Sequence, residues 1–169
     1  MIQTANRHWM VLYTRSRWEK KIDKLLNEQN INSFCPLVKT NRQWVDRKKV
    51  VEMPLFNSYL FVNATPVELA KAMRTSGVLT YISRGGKPAT INDSEIERIK
   101  TIVENYSDVE SVSLSNLKVG DNIKVKMGPL TDHEGEIHQI QGKSVVMIIK
   151  NLNCALTVKL DRKDIHYKD

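Results

Sequence analysis

The stretch Tyr59-Leu60-Phe61-Val62 constrains the fold of this chain more than any other. Successive side chains of a β-strand point to opposite faces of its sheet, and here both faces are apolar. Such a strand is normally covered on both sides, whereas a strand with one side in water alternates apolar and polar residues. The sequence therefore predicts a sheet with two buried faces. What covers the second face is the main structural question for this chain.

Composition favours a folded, soluble protein. Of the 169 residues, 41% are hydrophobic, which is enough for packed cores and argues against wholesale disorder. The longest apolar run near the N-terminus, residues 9–13, is too short for a signal-peptide core or for a membrane span of roughly 20 residues. Cys35 and Cys154 lie far apart without a metal-binding spacing, which favours reduced packing cysteines. We expect a cytoplasmic protein with no membrane partner.

Charge divides the chain into two parts. Residues 1–105 carry 17 Lys and Arg against 10 Asp and Glu, whereas residues 106–169 carry 9 of each, so the net charge of +7 lies in the first part. A basic part beside a neutral part indicates two domains, the first of which faces a polyanion. The predicted domains are residues 1–105 and 117–169, joined by a linker over 106–116 that is rich in Ser and acidic residues.

The basic part alternates strand and helix signals. Apolar residues at Trp18, Ile22 and Leu25 recur at helical spacing, and Thr65 with Glu68 is typical of an N-terminal capping box. The predicted elements are a strand over 8–14, a helix over 17–30, a two-stranded ribbon over 31–56 with a basic tip, a strand over 58–64, a helix that Gly77 ends, a strand over 78–83 and a closing helix from Asn92.

This order predicts a ferredoxin-like sandwich, in which helices cover mainly one face of the sheet. Leu60 and Val62 then point to the helices. The residues on the other face are Val11, Tyr13, Phe56, Tyr59 and Phe61. Two interpretations stay open: another protein covers this face, since exposed apolar patches mark partner sites, or the closing helix or the C-terminal domain does.

The neutral part reads as five short strands, over 123–127, 137–141, 143–150, 155–160 and 164–167. Five short strands in about 50 residues are typical of a small SH3-like barrel. The fold class is α+β, with a ferredoxin-like sandwich followed by a five-stranded β-barrel.

Two motifs resemble a known family. Residues 119–125, followed by Gly128-Pro129-Leu130 and Gly135, are similar to a KOW motif, and residues 8–13 with 54–62 are similar to an NGN domain. Together, in this order, they resemble the NusG family of transcription elongation factors over nearly the whole chain. Asn57-Ser58 stands where general members usually have Pro-Gly, which makes the chain resemble the specialised RfaH and UpxY antiterminators.

The resemblance implies that the apolar sheet face binds the clamp helices of the largest RNA polymerase subunit. The matching residues are Val11, Tyr13, Leu55, Phe56, Tyr59 and Phe61. Truncating such an anchor typically costs on the order of 2 kcal/mol, so we expect Phe61→Ala or Tyr13→Ala to weaken binding at least tenfold in a folded domain.

The resemblance also implies contact with the non-template DNA strand. The matching basic residues are Arg15, Arg17, Lys20, Lys21, Lys24 and Arg74. Cations around a helix N-terminus suit phosphates. Trp18 stacks on a base or is the first core residue of its helix, and its place on the apolar stripe favours the core.

No catalytic motif or cofactor site is visible, so we expect a binding protein that acts as a monomer. The predicted function is antitermination by suppression of pausing and termination. The KOW domain would contact the ribosome, a termination factor or nascent RNA. The alternatives are a general NusG housekeeping factor and a KOW-containing, ribosome-associated RNA-binding protein.

Overall fold

The computed structural model of the chain describes residues 6–106, 109–113, 119–125, 134–138, 144–158 and 165–167. Contacts divide the chain into two compact units. The first contains Met1–Leu37 and Phe56–Arg98, and the second contains Val38–Leu55 and Ile99–Asp169. This division differs from the predicted domain boundaries, because residues 38–55 and the end of the closing helix group with the C-terminal part. The two predicted domains remain a prediction about which parts fold alone.

Up to residue 106 the elements are β1 (His8–Thr14), α1 (Glu19–Glu28), β2 (Asn32–Phe34), β3 (Leu37–Gln43), β4 (Lys48–Pro54), β5 (Tyr59–Ala64), α2 (Pro66–Ala72), β6 (Val78–Tyr81), β7 (Ser83–Arg84), β8 (Lys87–Pro88), β9 (Thr90–Ile91) and α3 (Asp93–Asn105). In the described residues, no helix combines the length and the apolar character that crossing a membrane takes.

The first unit is built on an antiparallel sheet with the strand order β2-β5-β1-β6, to which β9 adds by pairing with β1. This is the strand order of a ferredoxin-like sandwich, so the predicted fold is confirmed. The predicted ribbon over 31–56 contains a separate short strand, β2, which pairs with β5. Only β3 and β4 form the hairpin.

One face of the sheet packs on helices α1 and α2, as predicted. The buried core on this side consists of Met10, Leu12, Ile22, Leu26, Ile31, Leu60, Val62, Ala64, Leu69 and Ala72. Alternate residues of β1 and β5 supply the sheet side of this cluster, because strand side chains alternate between faces. The sequence assigned these residues to the correct face.

Local signals begin and end α2 where the sequence predicts. The Thr65 hydroxyl accepts a hydrogen bond from the Glu68 N–H, and the Glu68 carboxylate accepts one from the Thr65 N–H, which is a complete capping box. Gly77, just beyond the helix, has φ +95°, and a Cβ added there would lie 2.6 Å from the Trp18 ring. Only glycine fits this position, because both the backbone conformation and the space exclude a side chain.

The C-terminal residues of the second unit form two three-stranded sheets. Their strands are β10 (Glu110–Ser113), β11 (Val119–Val125), β12 (Glu134–His138), β13 (Ser144–Ile149), β14 (Cys154–Val158) and β15 (Ile165–Tyr167), in the orders β10-β14-β13 and β12-β11-β15. Each of the five predicted strands overlaps one of these strands, and the predicted residues 126–127, 139–141, 143, 159–160 and 164 lie outside the described residues. Gly128-Pro129-Leu130 of the KOW resemblance lies outside the described residues.

The stretch predicted as a linker, residues 106–116, contains a short strand at residues 110–113. These residues form β10, which pairs antiparallel with residues 154–157 of β14. Val109, directly before β10, is 3% exposed. The stretch lacks an alternating pattern, but backbone pairing to the free edge of β14 needs none.

Candidate binding surfaces of the first unit

The sheet face away from α1 and α2 carries aromatic side chains from three strands. Val11 lies opposite Phe61 across β1 and β5, and Tyr13 lies opposite Tyr59 in the same register. Phe34 of β2 lies opposite Phe61 on the other side. Directly paired residues share a face, so these side chains form one continuous apolar surface, as the sequence predicts.

Four of the six residues predicted to bind polymerase are buried within the chain. Val11 and Phe61 are fully enclosed, Phe56 is 2% exposed and Leu55 is 7% exposed. Phe61 lies between two other rings, stacked on Phe34 at 6.1 Å and edge-on to Phe56 at 5.5 Å between centroids. Residues of the same chain therefore cover these four positions, and at Phe61 the covering residues include Phe34 and Phe56.

Tyr13 and Tyr59 remain accessible on this surface, and Phe34 on the β2 side is half-buried. Tyr13 is 36% exposed and Tyr59 is half-buried, with ring centroids 5.6 Å apart. Exposed Thr80 of β6 lies opposite Tyr13 on its other side and was not singled out from the sequence. A rigid pair of aromatic rings at the rim of a buried apolar face suits a protein interface, because Tyr offers a large apolar area with a polar end.

The six predicted DNA-binding residues are all exposed: Arg15, Arg17, Lys20, Lys21, Lys24 and Arg74. Two of them meet at one ring, with Lys21 Nζ 4.2 Å and Arg15 Cζ 5.6 Å from the centroid of Trp18. Lys24 lies 3.9 Å from a carboxylate oxygen of Glu28. The loop between β1 and α1 therefore presents a basic surface around one indole ring.

Trp18 belongs to the core of the first unit, as the sequence favours. Its ring packs against the helix-side cluster and against Gly77, and the side chain is only half-buried. The negative face of the indole ring attracts the positive charges of Lys21 and Arg15. Trp18 therefore anchors the basic loop to the fold.

Glu19 connects the basic loop to the turn before β5. Its side chain is 2% exposed, and its Oε1 accepts hydrogen bonds from the Arg17 N–H at 3.2 Å and the Ser58 N–H at 2.6 Å. Arg17 and Ser58 both have left-handed backbones, with φ +66° and +65°. One buried carboxylate thus accepts hydrogen bonds from two strained residues: Arg17, one of the DNA-binding candidates, and Ser58, which precedes Tyr59. The sequence carries no signal for a partner 39 residues away.

Cys35 packs in the first unit as a protonated thiol. Burial and the nearby carboxylates of Asp23 and Glu19 raise the pKa of Cys35 to about 12. Burial also raises the pKa of Cys154. A thiol needs its thiolate form to react, so both cysteines suit the predicted packing role.

The matched residues of one family model cover more than half of the chain. The model described as "Transcription termination factor nusG" matches residues 7–100. The chain belongs to the NusG family. The family match contains β1 and β5, which carry the tyrosine pair, and the complete basic loop.

Relatives and a solved structure cover more of the chain. The "Transcription termination/antitermination protein NusG" of Borreliella burgdorferi is 23% identical over 180 residues, 95% of this chain and 98% of that protein. The Staphylococcus aureus protein of the same name is 21% identical over 150 residues, 82% of each chain. A structure described as "Domain interaction in Thermotoga maritima NusG" is 22% identical, covers 97% of this chain and 98% of its own, and superposes with a TM-score of 0.58. The chain shares the NusG fold, an NGN sandwich followed by a KOW barrel.

Proposed function

We propose that this NusG-family protein is a transcription elongation and antitermination factor that binds RNA polymerase and the exposed non-template DNA strand. The observation that carries the proposal is the pair Tyr13–Tyr59, which stays accessible on a sheet face whose centre, at Val11 and Phe61, is closed. The basic loop next to it, tied to the same turn through Glu19, supplies a second surface.

The polymerase contact centres on the two tyrosines. Their rings are neighbours in the register of β1 and β5, so both are held by the central strands of the sheet. Rings fixed in this way lose little conformational freedom on binding. The family resemblance points to the clamp helices of the largest polymerase subunit as the surface that they meet.

The test is a binding titration of labelled protein against core RNA polymerase. Tyr13→Ala and Tyr59→Ala should each weaken binding about tenfold or more, since aromatic anchors typically contribute on the order of 2 kcal/mol. Val67→Ala on α2, where the valine is 78% exposed, is the matched control and should bind like the parent. Equal affinity of all three variants would contradict the proposed contact.

Phe61→Ala does not serve as a test, although the sequence suggested it. Phe61 is fully enclosed and contacts two other rings, so its truncation leaves a cavity. Such a change typically costs about 3–5 kcal/mol of stability, and the variant would lose binding by unfolding. The two tyrosines separate binding from stability because they lie at the surface.

The DNA contact uses the exposed cations of the loop and of α1. Arg15→Glu together with Arg17→Glu should abolish recruitment to specific DNA sites but leave polymerase affinity nearly unchanged, because neither guanidinium belongs to the tyrosine pair. Arg84→Glu with Lys87→Glu, at paired positions of β7 and β8, makes the same charge change elsewhere. Parallel loss of DNA and polymerase binding in the first variant would show that the assignment is wrong.

The mechanism is binding, without bond making or breaking. Bridging polymerase and the displaced strand favours the elongating enzyme over the paused one, provided that the protein binds the elongating state more tightly. The C-terminal barrel would tether a second factor, with the ribosome, a termination factor and nascent RNA as candidates. The specialised antiterminator role, as opposed to a housekeeping one, rests on Asn57-Ser58 in place of Pro-Gly.

A further inference from the structure

The hairpin of β3 and β4 ends in a tip that is fully open to water. Every side chain from residue 41 to residue 50 is exposed. The tip includes Trp44, which is 61% exposed, and Val45, which is completely exposed. Leaving an indole in water forgoes the roughly 25 cal/mol per Å² that its burial would contribute, so packing within the fold does not explain this tryptophan.

The hairpin is also strongly basic. Residues 39–52 contain five cationic side chains, Lys39, Arg42, Arg47, Lys48 and Lys49, against the two acidic ones, Asp46 and Glu52. The first-unit residues assigned to polymerase and DNA above include none of these. The cations therefore form a separate positive surface within the second unit.

The pairing of the hairpin concentrates this charge beside the tryptophan. The backbone N–H of Trp44 donates a hydrogen bond to the backbone carbonyl of Arg47 at 2.9 Å, which closes the turn. Arg47, Lys48 and Lys49 directly follow this turn, so three cations lie next to the tryptophan along the hairpin. The guanidinium of Arg42 lies against Met53, with Nη2 3.3 Å from Sδ.

We propose that the β3–β4 hairpin tip binds single-stranded nucleic acid, with the Trp44 indole stacked on an unpaired base and the neighbouring cations on the flanking phosphates. Stacking on an aromatic ring needs a base whose face is free, which a duplex does not offer along its length. The cations supply the charge complementarity that an apolar protein partner would not use. The contact requires no particular base and no 2′-hydroxyl.

The test measures binding of the full-length protein to fluorescein-labelled dT12, rU12 and a 12-base-pair DNA duplex by anisotropy. Trp44→Ala should weaken binding to both single strands about tenfold, the loss expected from one stacked base, and leave duplex binding within about twofold. Trp44→Phe keeps a stacking ring and should retain most of the affinity. Val45→Ala is the control for apolar area at the same tip and should bind like the parent.

The measurements are repeated with Arg15→Glu and Arg17→Glu in every variant, which weakens the proposed non-template site equally in all of them. A Trp44-dependent preference for single strands in that background supports the hairpin site even if the polymerase proposal fails. Unchanged binding of Trp44→Ala to both single strands overturns the inference. The inference is also overturned if Trp44→Ala weakens duplex binding as much as single-strand binding. It is overturned as well if Trp44→Ala weakens binding to anionic phospholipid vesicles but not to oligonucleotides.

Discussion

Backbone strain at single residues marks the region where the two first-unit surfaces meet. Arg17 and Ser58 adopt a left-handed conformation that costs a residue with a Cβ about 1–2 kcal/mol, and Glu19 offsets part of that cost by accepting both N–H groups. The general members that this chain resembles usually have glycine at the position of Ser58. Glycine adopts this conformation without the steric penalty.

Ser58→Gly should therefore stabilise the protein. Relief of the Cβ clash contributes about 1–2 kcal/mol, and the greater freedom of glycine in the unfolded chain removes about 0.5–1 kcal/mol of it. We expect a net gain of about 0.5–1 kcal/mol in the free energy of unfolding, measured by urea denaturation. Ser58→Ala keeps the Cβ and should show no gain, so equal stability of the two variants would contradict the strain at this turn.

For single residues, the sequence predicts which face of the sheet a side chain lies on better than it predicts how deeply that side chain is buried. Alternation along β1 and β5 assigned Val11 and Phe61 to the face away from the helices, because that assignment needs only the two-residue period of a strand. It could not predict that Phe34 and Phe56 enclose Phe61, since those contacts join residues distant in sequence. Glu19 was missed for the same reason, and Trp44 because an exposed tip residue leaves no periodic signal.

Among the elements, α2 shows how far local signals determine structure. Thr65, the proline after it and Glu68 specified the start of the helix from sequence alone, and the structure contains the complete capping box. The strand β10 shows the opposite case, because its four residues have no alternating pattern and exist as a strand only through pairing with β14.

Thr65→Ala should lower the free energy of unfolding by about 1 kcal/mol, because the Glu68 N–H loses its acceptor. Chemical denaturation of the full chain measures the change. Ser76→Ala, at an exposed serine beyond the same helix, is the control and should stay within about 0.5 kcal/mol of the parent. A loss as large in the control would assign the effect to something other than the cap.

The stability that the Glu68 carboxylate contributes to the capping box should depend on pH. The backbone N–H of Thr65, and then the Arg7 guanidinium, hold the pKa of Glu68 below its ordinary value. A carboxylate with a lowered folded-state pKa stabilises the protein above its unfolded pKa, and this contribution is lost as the pH falls through the folded value. Glu68→Gln should therefore be less stable than the parent at pH 7, and the difference should disappear as the pH falls through the lowered pKa of Glu68. A difference independent of pH would contradict this account.

For the molecule as a whole, the charge distribution and the contacts divide the chain differently. The surplus of cations lies within residues 1–105, but the basic hairpin groups with the C-terminal part in the second unit. The sequence predicted the ferredoxin-like order and the five C-terminal strands from local patterns. It could not predict which distant segments associate, because that depends on contacts across the chain.

Fragments of the C-terminal part test where the barrel begins. A fragment of residues 106–169 contains β10 and Val109, whereas one of residues 117–169 exposes the edge of β14. The longer fragment keeps the pairing of β10 with β14, so it should melt at the higher temperature by circular dichroism. Both spectra should be of the β type. Equal melting temperatures would restore the boundary predicted from sequence, and a helical spectrum would indicate a second fold.

The central claim is that the accessible tyrosine pair on the closed sheet face is where RNA polymerase binds. Replacement of Tyr59 by the photoreactive residue p-benzoylphenylalanine, followed by irradiation of the complex with RNA polymerase and mass spectrometry, tests it most directly. We predict cross-links to the clamp helices of the largest subunit, and none there from the same residue placed at Val67. Cross-links from position 59 to another part of the enzyme, or only within this chain, would contradict the account.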